Sequence, residues 1–189
     1  MARAPRKDAA ERRAALLTAA AEEFAARGYN VPLDAIADRA GVGRATLYRN
    51  FADRSELALA VFEQQLEALA ATTREKGDDP EAFFWFVDQL ADILGRNAGL
   101  DAALREHQES GALAPIRQKL VDAGAQSLQR AKQAGLVRPD MGPQDIRAIA
   151  MILGAGANRP SSDERDAFGR RIRALLLDGL RTRPSEPRA

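Results

Sequence analysis

Cysteine is absent from this chain of 189 residues. That excludes a disulfide framework, a thiolate nucleophile and any cysteine-based metal site. Histidine occurs once, at position 107, so metal sites built from several histidines are excluded as well. Aromatic residues are sparse at 5%. The longest apolar run, Ala148 to Ala157, falls far short of the roughly 20 residues that cross a bilayer. The opening MARAPRKDAAERR is charged and has no apolar h-region, which argues against a secretory signal. No Gly-x-Ser-x-Gly elbow, Walker-type loop or GxGxxG turn is present. A serine triad would have to recruit His107, which leaves carboxylate chemistry as the enzymatic alternative. The expectation is a cytoplasmic protein that is not an enzyme, holds no metal or cofactor and has no membrane partner.

Hydrophobic residues make up 46% of the chain, enough for a sizeable core, and the net charge is +1. The charge is uneven. Through Arg54 there are ten basic against seven acidic residues, and beyond it eighteen against twenty. A mildly basic head on a mildly acidic body suits a head that meets phosphate.

The stretch LDAIADRAGVGRATLYRNF, Leu33 to Phe51, carries the most information. Leu33, Ile36, Ala37 and Ala40 recur at helical spacing and form one apolar face. Gly41 stops that helix by taking a left-handed cap, and Val42 and Gly43 make the turn. A second short helix runs from Arg44, with Leu47 and Phe51 inward and Arg44, Ala45, Thr46, Tyr48 and Arg49 outward. Two short helices across a tight turn, the second bearing arginines, describe a helix-turn-helix. Arginine at the start of such a helix can bond guanine O6 and N7 together, so Arg44 is the first choice for base reading. Thr46 suits a phosphate or a thymine methyl, and Tyr48 and Arg49 extend the same surface.

The periodicity predicts a helix over Asp8 to Arg27, with Leu16, Leu17, Ala20 and Phe24 inward. Asp53 and Glu56 form a capping box that opens a long fourth helix through Leu59, Phe62, Leu66 and Leu69. Lys76 to Pro80 breaks the pattern. Further helices are predicted over Glu81–Arg96, Leu100–Glu109, Pro115–Ala134, Gln144–Leu153 and Ser162–Arg181, with a frayed tail from Arg183 to Ala189. No strand pattern or repeat is evident. The domain reading is a head at 1–54 with a basic arm (Arg3, Arg6, Lys7), a body at 55–182 and a tail at 183–189.

The pattern Ile36-Ala37, Ala40-Gly41-Val42, Thr46-Leu47-Tyr48 and Phe51 resembles the tetracycline-repressor (TetR) family of bacterial regulators. The resemblance extends through Ala19-Ala20, Phe24 and Gly28-Tyr29 upstream and Asp53 to Leu57 downstream. It implies an all-α protein, with a three-helix helix-turn-helix head and a C-terminal helical-bundle domain for effector binding and dimerisation. It implies binding of double-stranded DNA as a homodimer on a palindrome, and repression released by a small molecule. Gly43, Arg44, Ala45, Thr46, Tyr48, Arg49 and Arg54 are then the expected DNA contacts, Tyr48 and Arg54 holding the backbone. Two departures stand out. Gly43 replaces the usual Ser or Thr cap and Pro32 the usual Thr or Ser, so two hydroxyls that could meet phosphate are missing.

By the same resemblance the body holds an effector pocket, for which Trp85, Phe86, Gln89, Leu104, His107, Gln108 and Met151 are the candidates. His107 admits two readings, a half-exposed helix residue or a polar, pH-sensitive anchor. Ile146, Ile149 and Leu153 on one helix and Phe168, Ile172, Leu175 and Leu176 on the next are candidates for the dimer interface, shared with the chain's own core. A DNA-binding protein that is constitutive, or controlled by a protein partner, would have the same head. Only the body distinguishes it.

Overall fold

The computed structural model describes residues 5–97, 113–155 and 162–182. The predicted helix Leu100–Glu109, the arm before Pro5 and the tail from Arg183 lie outside these residues, as do Leu104, His107 and Gln108. The described residues form eight helices: α1 Pro5–Arg27, α2 Leu33–Arg39, α3 Arg44–Asn50, α4 Arg54–Glu75, α5 Ala82–Arg96, α6 Leu113–Gln133, α7 Asp145–Gly154 and α8 Ser162–Leu180. The only β-pairing among them is an isolated bridge between Val137 and Arg181. None of these helices is long and apolar enough to cross a membrane. The fold is all-α.

The chain divides into two compact units. The first takes residues through Gln65 together with Arg96–Leu113, and the second takes Leu66–Gly95 and Ala114 onward. The division therefore falls within α4 rather than after Arg54. The first turns of α4, with Leu57, Ala58 and Val61 buried, belong to the head. Asn97 donates to Gln65 within that same unit at 2.6 Å.

In the head, α1 opens at Pro5, three residues before the predicted start. Proline loses only a donor that the first turn leaves unused. Its inward stripe is Leu16, Ala19, Ala20 and Phe24, whereas Leu17 is half-buried. Val31, Ile36, Ala37, Leu47, Phe51 and Leu57 complete the core. A charged clamp joins α1 to α2: Arg39 pairs with Glu22 at 2.6 Å and Glu23 at 3.1 Å, and Arg27 shares Glu23. The hydrogen bond to Glu22 is the main reason that Arg39 holds its proton more tightly than usual.

In the second unit α5 supplies Phe83, Phe86, Val87 and Leu90, α6 supplies Leu120, Val121, Leu128 and Ala131, and α7 supplies Ile146, Ile149 and Leu153. Phe83 and Phe86 stack with centroids 6.3 Å apart. Pro115 is the third residue of α6, not its first; the whole opening turn tolerates a missing donor. On α8, Arg173 reaches Asp88 and Asp92, one turn apart on α5, the latter at 2.6 Å. Beyond α8, Arg181 makes a two-pronged pair with Glu81 at 3.0 and 2.7 Å and lies over the Phe84 ring.

Close packing in this unit depends on Gly124. A Cβ there would sit 2.7 Å from Phe86 Cε1 and 3.0 Å from Ile146 Cδ1. The Phe86 ring is fully buried and has nowhere to swing. Overpacking costs about 1–3 kcal/mol, and exchanging glycine for alanine inside a helix returns about 1 kcal/mol. Gly124→Ala is therefore expected to destabilise by about 1 kcal/mol, seen as a melting temperature lowered by roughly 2–4 °C. An unchanged or raised melting temperature would show that the core yields at this point.

Candidate nucleic-acid interface

The interface is built on a turn. After α2, Gly41 takes φ +67°, a left-handed conformation strained for any residue with a Cβ. Val42 N–H donates to the Ala37 carbonyl at 3.0 Å and Gly41 N–H to that of Asp38 at 3.1 Å. This Schellman pair closes α2 where the sequence predicts. Gly43 is the N-cap of α3 in extended geometry, with no side-chain cap bond. Pro32 likewise lies just outside α2 as its N-cap, again without a side-chain bond.

The α3 helix turns Leu47 inward, with Phe51 as its C-cap, each 1% exposed. Its C-terminus is tied to α1. Arg13 donates to the Asn50 carbonyl at 3.2 Å and lies 4.4 Å over the Phe51 ring. A cation suits a helix C-terminus. Outward stand Ala45, Arg49, Arg44 at 69% side-chain exposure and Tyr48 at 51%. Thr46 is half-buried. Its hydroxyl accepts from Arg49 Nη2 at 3.0 Å, and its carbonyl accepts from Asn50 at 2.7 Å. Gly43, Arg44, Ala45, Tyr48 and Arg49 thus share one accessible face, and Thr46 acts on it through Arg49.

Arg54 is placed differently from expectation. Its Nη1 donates to the Tyr29 carbonyl at 2.6 Å and to the Val31 carbonyl, and its guanidinium lies 5.7 Å over the Tyr29 ring. Instead of facing outward toward a phosphate, the side chain braces the loop between α1 and α2. Asp53 caps α4 as predicted, accepting from Glu56 N–H at 2.8 Å. Glu56 closes the box one residue early, on Ala52 N–H at 2.6 Å.

Sequence reasoning missed Asp34 and Arg13. Asp34, in the first turn of α2, holds Arg44 Nε at 2.5 Å. Ten residues separate the two, and no helical period links them. Only the turn at Gly41 brings them together.

In the second unit the candidate residues scatter. Trp85 is half-buried with Lys76 Nζ 4.4 Å above its ring, and Gln89 is half-buried. Phe86 is fully buried in the core beside Gly124. Met151 is 76% exposed, so it lines no enclosed pocket of this chain. Ile146, Ile149 and Leu153 are buried within the chain and unavailable to a partner. The reason is that α7 is apolar on two faces. Its longer aliphatic stripe faces inward, and Ala148, Met151 and Ile152 face outward. On α8, Leu175 is exposed and Phe168, Ile172 and Leu176 are half-buried. A cleft of about 60 Å³ between α4 and α6, bordered by Thr73, Arg74, Gln126 and Arg130, contains none of the effector candidates.

An accessible helix carrying arginines, docked by two buried side chains behind a glycine turn, defines a helix-turn-helix protein of the all-helical regulator class. The comparisons narrow that class. The profile of bacterial regulatory proteins of the tetR family matches residues 16–61, and that of the transcriptional regulator SbtR-like C-terminal domain matches residues 78–182. A crystal structure of a TetR transcriptional regulator from Streptomyces coelicolor is 31% identical, covering 92% of this chain and 99% of that one with a TM-score of 0.64. The HTH-type transcriptional activator FasR of Mycolicibacterium smegmatis is 46% identical over 66 residues, which are 34% of this chain and 30% of that protein. The HTH-type transcriptional regulatory protein RaaS of Mycobacterium tuberculosis is 30% identical over 141 residues, 73% of this chain and 65% of that protein. The chain belongs to the TetR family of transcriptional regulators.

The inward placement of Arg54 has a measurable consequence. Hydrogen bonds from a charged donor are worth about 1.5–3 kcal/mol each in net stability. Arg54→Ala is expected to lower stability by about that much, followed by urea unfolding, with Arg54→Lys recovering only part because one ammonium fits two carbonyls less well. A wild-type midpoint in Arg54→Ala would return this arginine to the set available for phosphate.

Proposed function

We propose that this chain is a homodimeric, sequence-specific DNA-binding regulator, a repressor that binds a palindromic operator and is released by a small-molecule effector. The observation that carries the proposal is the outward face of α3. Arg44, Tyr48 and Arg49 lie free of the core that Leu47 and Phe51 hold. Arg44 reads guanine, Arg49 and Ala45 meet neighbouring base edges, and Tyr48 and the Gly43 backbone meet phosphate. Arg54 serves by holding the loop beneath. The reading is of a binding protein of the cytoplasm, not of an enzyme.

Dimerisation is supported by the second unit's exposed apolar face. Among the described residues the exposed large hydrophobic side chains are Tyr48, Met151, Ile152 and Leu175, and the last three lie on α7 and α8. Contiguous exposed apolar surface marks an interaction site. The proposed interface is Met151, Ile152 and Leu175, with Phe168, Ile172 and Leu176 beside them. Effector release requires differential affinity between two body conformations, and a coupling of about 1–3 kcal/mol changes operator affinity roughly 5- to 150-fold. The α4 helix contributes to both units and is the lever for that coupling. Trp85 and Gln89 of the second unit remain proposed pocket residues, while the candidates Leu104, His107 and Gln108 lie outside the described residues. The relative from M. smegmatis that shares the head is named an activator, so the direction of control is read from a promoter fusion rather than from α3.

Selection from random duplex DNA at two salt concentrations tests the proposal. A palindrome should be retained. Arg44→Ala should relax one base pair in each half-site by about 1–3 kcal/mol, and Tyr48→Phe should weaken all sequences alike. Retention without sequence preference that vanishes with salt would leave only a phosphate binder. Separately, Met151→Asp combined with Leu175→Asp is expected to give a monomer in sedimentation velocity. A dimer that survives both charges would place the interface elsewhere.

A further inference from the structure

A carboxylate beside a DNA-facing arginine runs against simple charge logic. Asp34 stands on the first turn of α2, half exposed, beside the arginine proposed to read guanine. Its carboxylate nonetheless holds Arg44 Nε at 2.5 Å while the arginine side chain stays 69% exposed. The contact is made to one edge of the guanidinium. Five N–H donors lie in its rigid plane, and the ion pair with Asp34 is closest at Nε rather than at the two terminal nitrogens. Those are a pair of parallel donors of the kind that guanine O6 and N7 accept. A long arginine chain loses rotamer freedom on binding, and one already biased by an ion pair loses less. The second outward arginine is held similarly, Arg49 by Thr46 at 3.0 Å.

We propose that Asp34 is a positioning residue for base recognition. It biases the Arg44 guanidinium toward one orientation before DNA arrives, and so tunes specificity at one base pair of each half-site without touching DNA. This inference rests on the reading of α3 as the base-contacting helix. It also explains how the head tolerates a carboxylate at its DNA-facing side. The charge that Asp34 costs in general affinity is exchanged for discrimination.

The two accounts of this ion pair differ in what they predict for discrimination. If the pair is incidental, removing the negative charge helps every duplex and leaves discrimination intact. If Asp34 positions Arg44, discrimination falls. The probes are the palindrome that wild-type protein retains from random duplex DNA, the same duplex changed at the base pair that Arg44→Ala relaxes, and a scrambled duplex. Asp34→Asn is expected to reduce the ratio of affinities for the first two probes by roughly tenfold, within the range a bidentate contact supplies. Affinity for the scrambled duplex should stay the same or rise. In an Arg44→Ala background, Asp34→Asn should change the ratio no further. Asp34→Glu, which keeps the charge and moves the carboxylate by one methylene, should lose the same discrimination at unchanged scrambled-duplex affinity. A preserved ratio in Asp34→Asn overturns the proposal, as does equal weakening on all three probes. An Arg44→Ala protein that relaxes no base pair overturns it together with the role of Arg44. Failure of the wild type to retain any palindrome would instead sink the underlying regulator reading.

Discussion

An α-helix of seven residues has almost no stability of its own in water. Nucleation is unfavourable, and isolated helices below roughly 12–15 residues are marginal even with favourable sequences. The recognition helix α3 is that short, so its shape has to be imposed from outside. Leu47 and Phe51 do most of this, since full burial of a side chain of their size is worth about 1.5–3 kcal/mol. The turn at Gly41 sets where the helix starts, and Arg13 on α1 holds where it ends. Because two inward residues and the two ends fix α3, its outward residues are free to be chosen for chemistry. The separation of holding from reading follows from the length of the helix alone.

The second unit solves a different problem, keeping longer helices in register while one face stays open. Its apolar core fixes separation, and its ion pairs fix direction. Arg173 between Asp88 and Asp92 is half-buried, and its raised affinity for protons comes first from the hydrogen bond to Asp88. Arg181 holds Glu81 from the end of α8, and that hydrogen bond keeps the Glu81 carboxyl below its usual range. A carboxyl with a depressed folded pKa stabilises the fold above its ordinary value and loses that contribution as pH falls through the folded one. The Arg181–Glu81 pair therefore operates at neutral pH. Such part-exposed pairs contribute little energy, about 1 kcal/mol at most, so their main effect is to choose one orientation of α8 among several of similar burial.

Much of the head was legible because its determinants are local. A glycine cap, a capping box and two apolar residues four apart act within a few positions, and Gly41, Asp53, Leu47 and Phe51 stand where the pattern predicts. The second unit was less legible because α7 has two apolar faces. Periodicity finds both but does not say which one the chain covers itself. Ile146, Ile149 and Leu153 went inside, and Met151 and Ile152 were left out. Side-chain partners across a turn were not legible at all. Arg54 on the Tyr29 and Val31 carbonyls, and Asp34 on Arg44, depend on three-dimensional placement that a one-dimensional pattern does not carry.

These pairings alter what the basic head can do. Arg13, Arg39, Arg44, Arg49 and Arg54 each have a partner within the head. Of these five, only Arg39 and Arg44 have carboxylate partners; Arg13, Arg49 and Arg54 bond neutral oxygens, so their charge is directed rather than cancelled. Counterion release scales with the number of phosphates neutralised, with a salt slope of about 0.9 for each. Two backbone-facing hydroxyls are also absent, at Gly43 and Pro32, neither of which has a side-chain cap bond. Where a side chain bonds within the head, the fold sets the direction of its charge, so a count of basic residues does not by itself give the number of phosphates the head can neutralise.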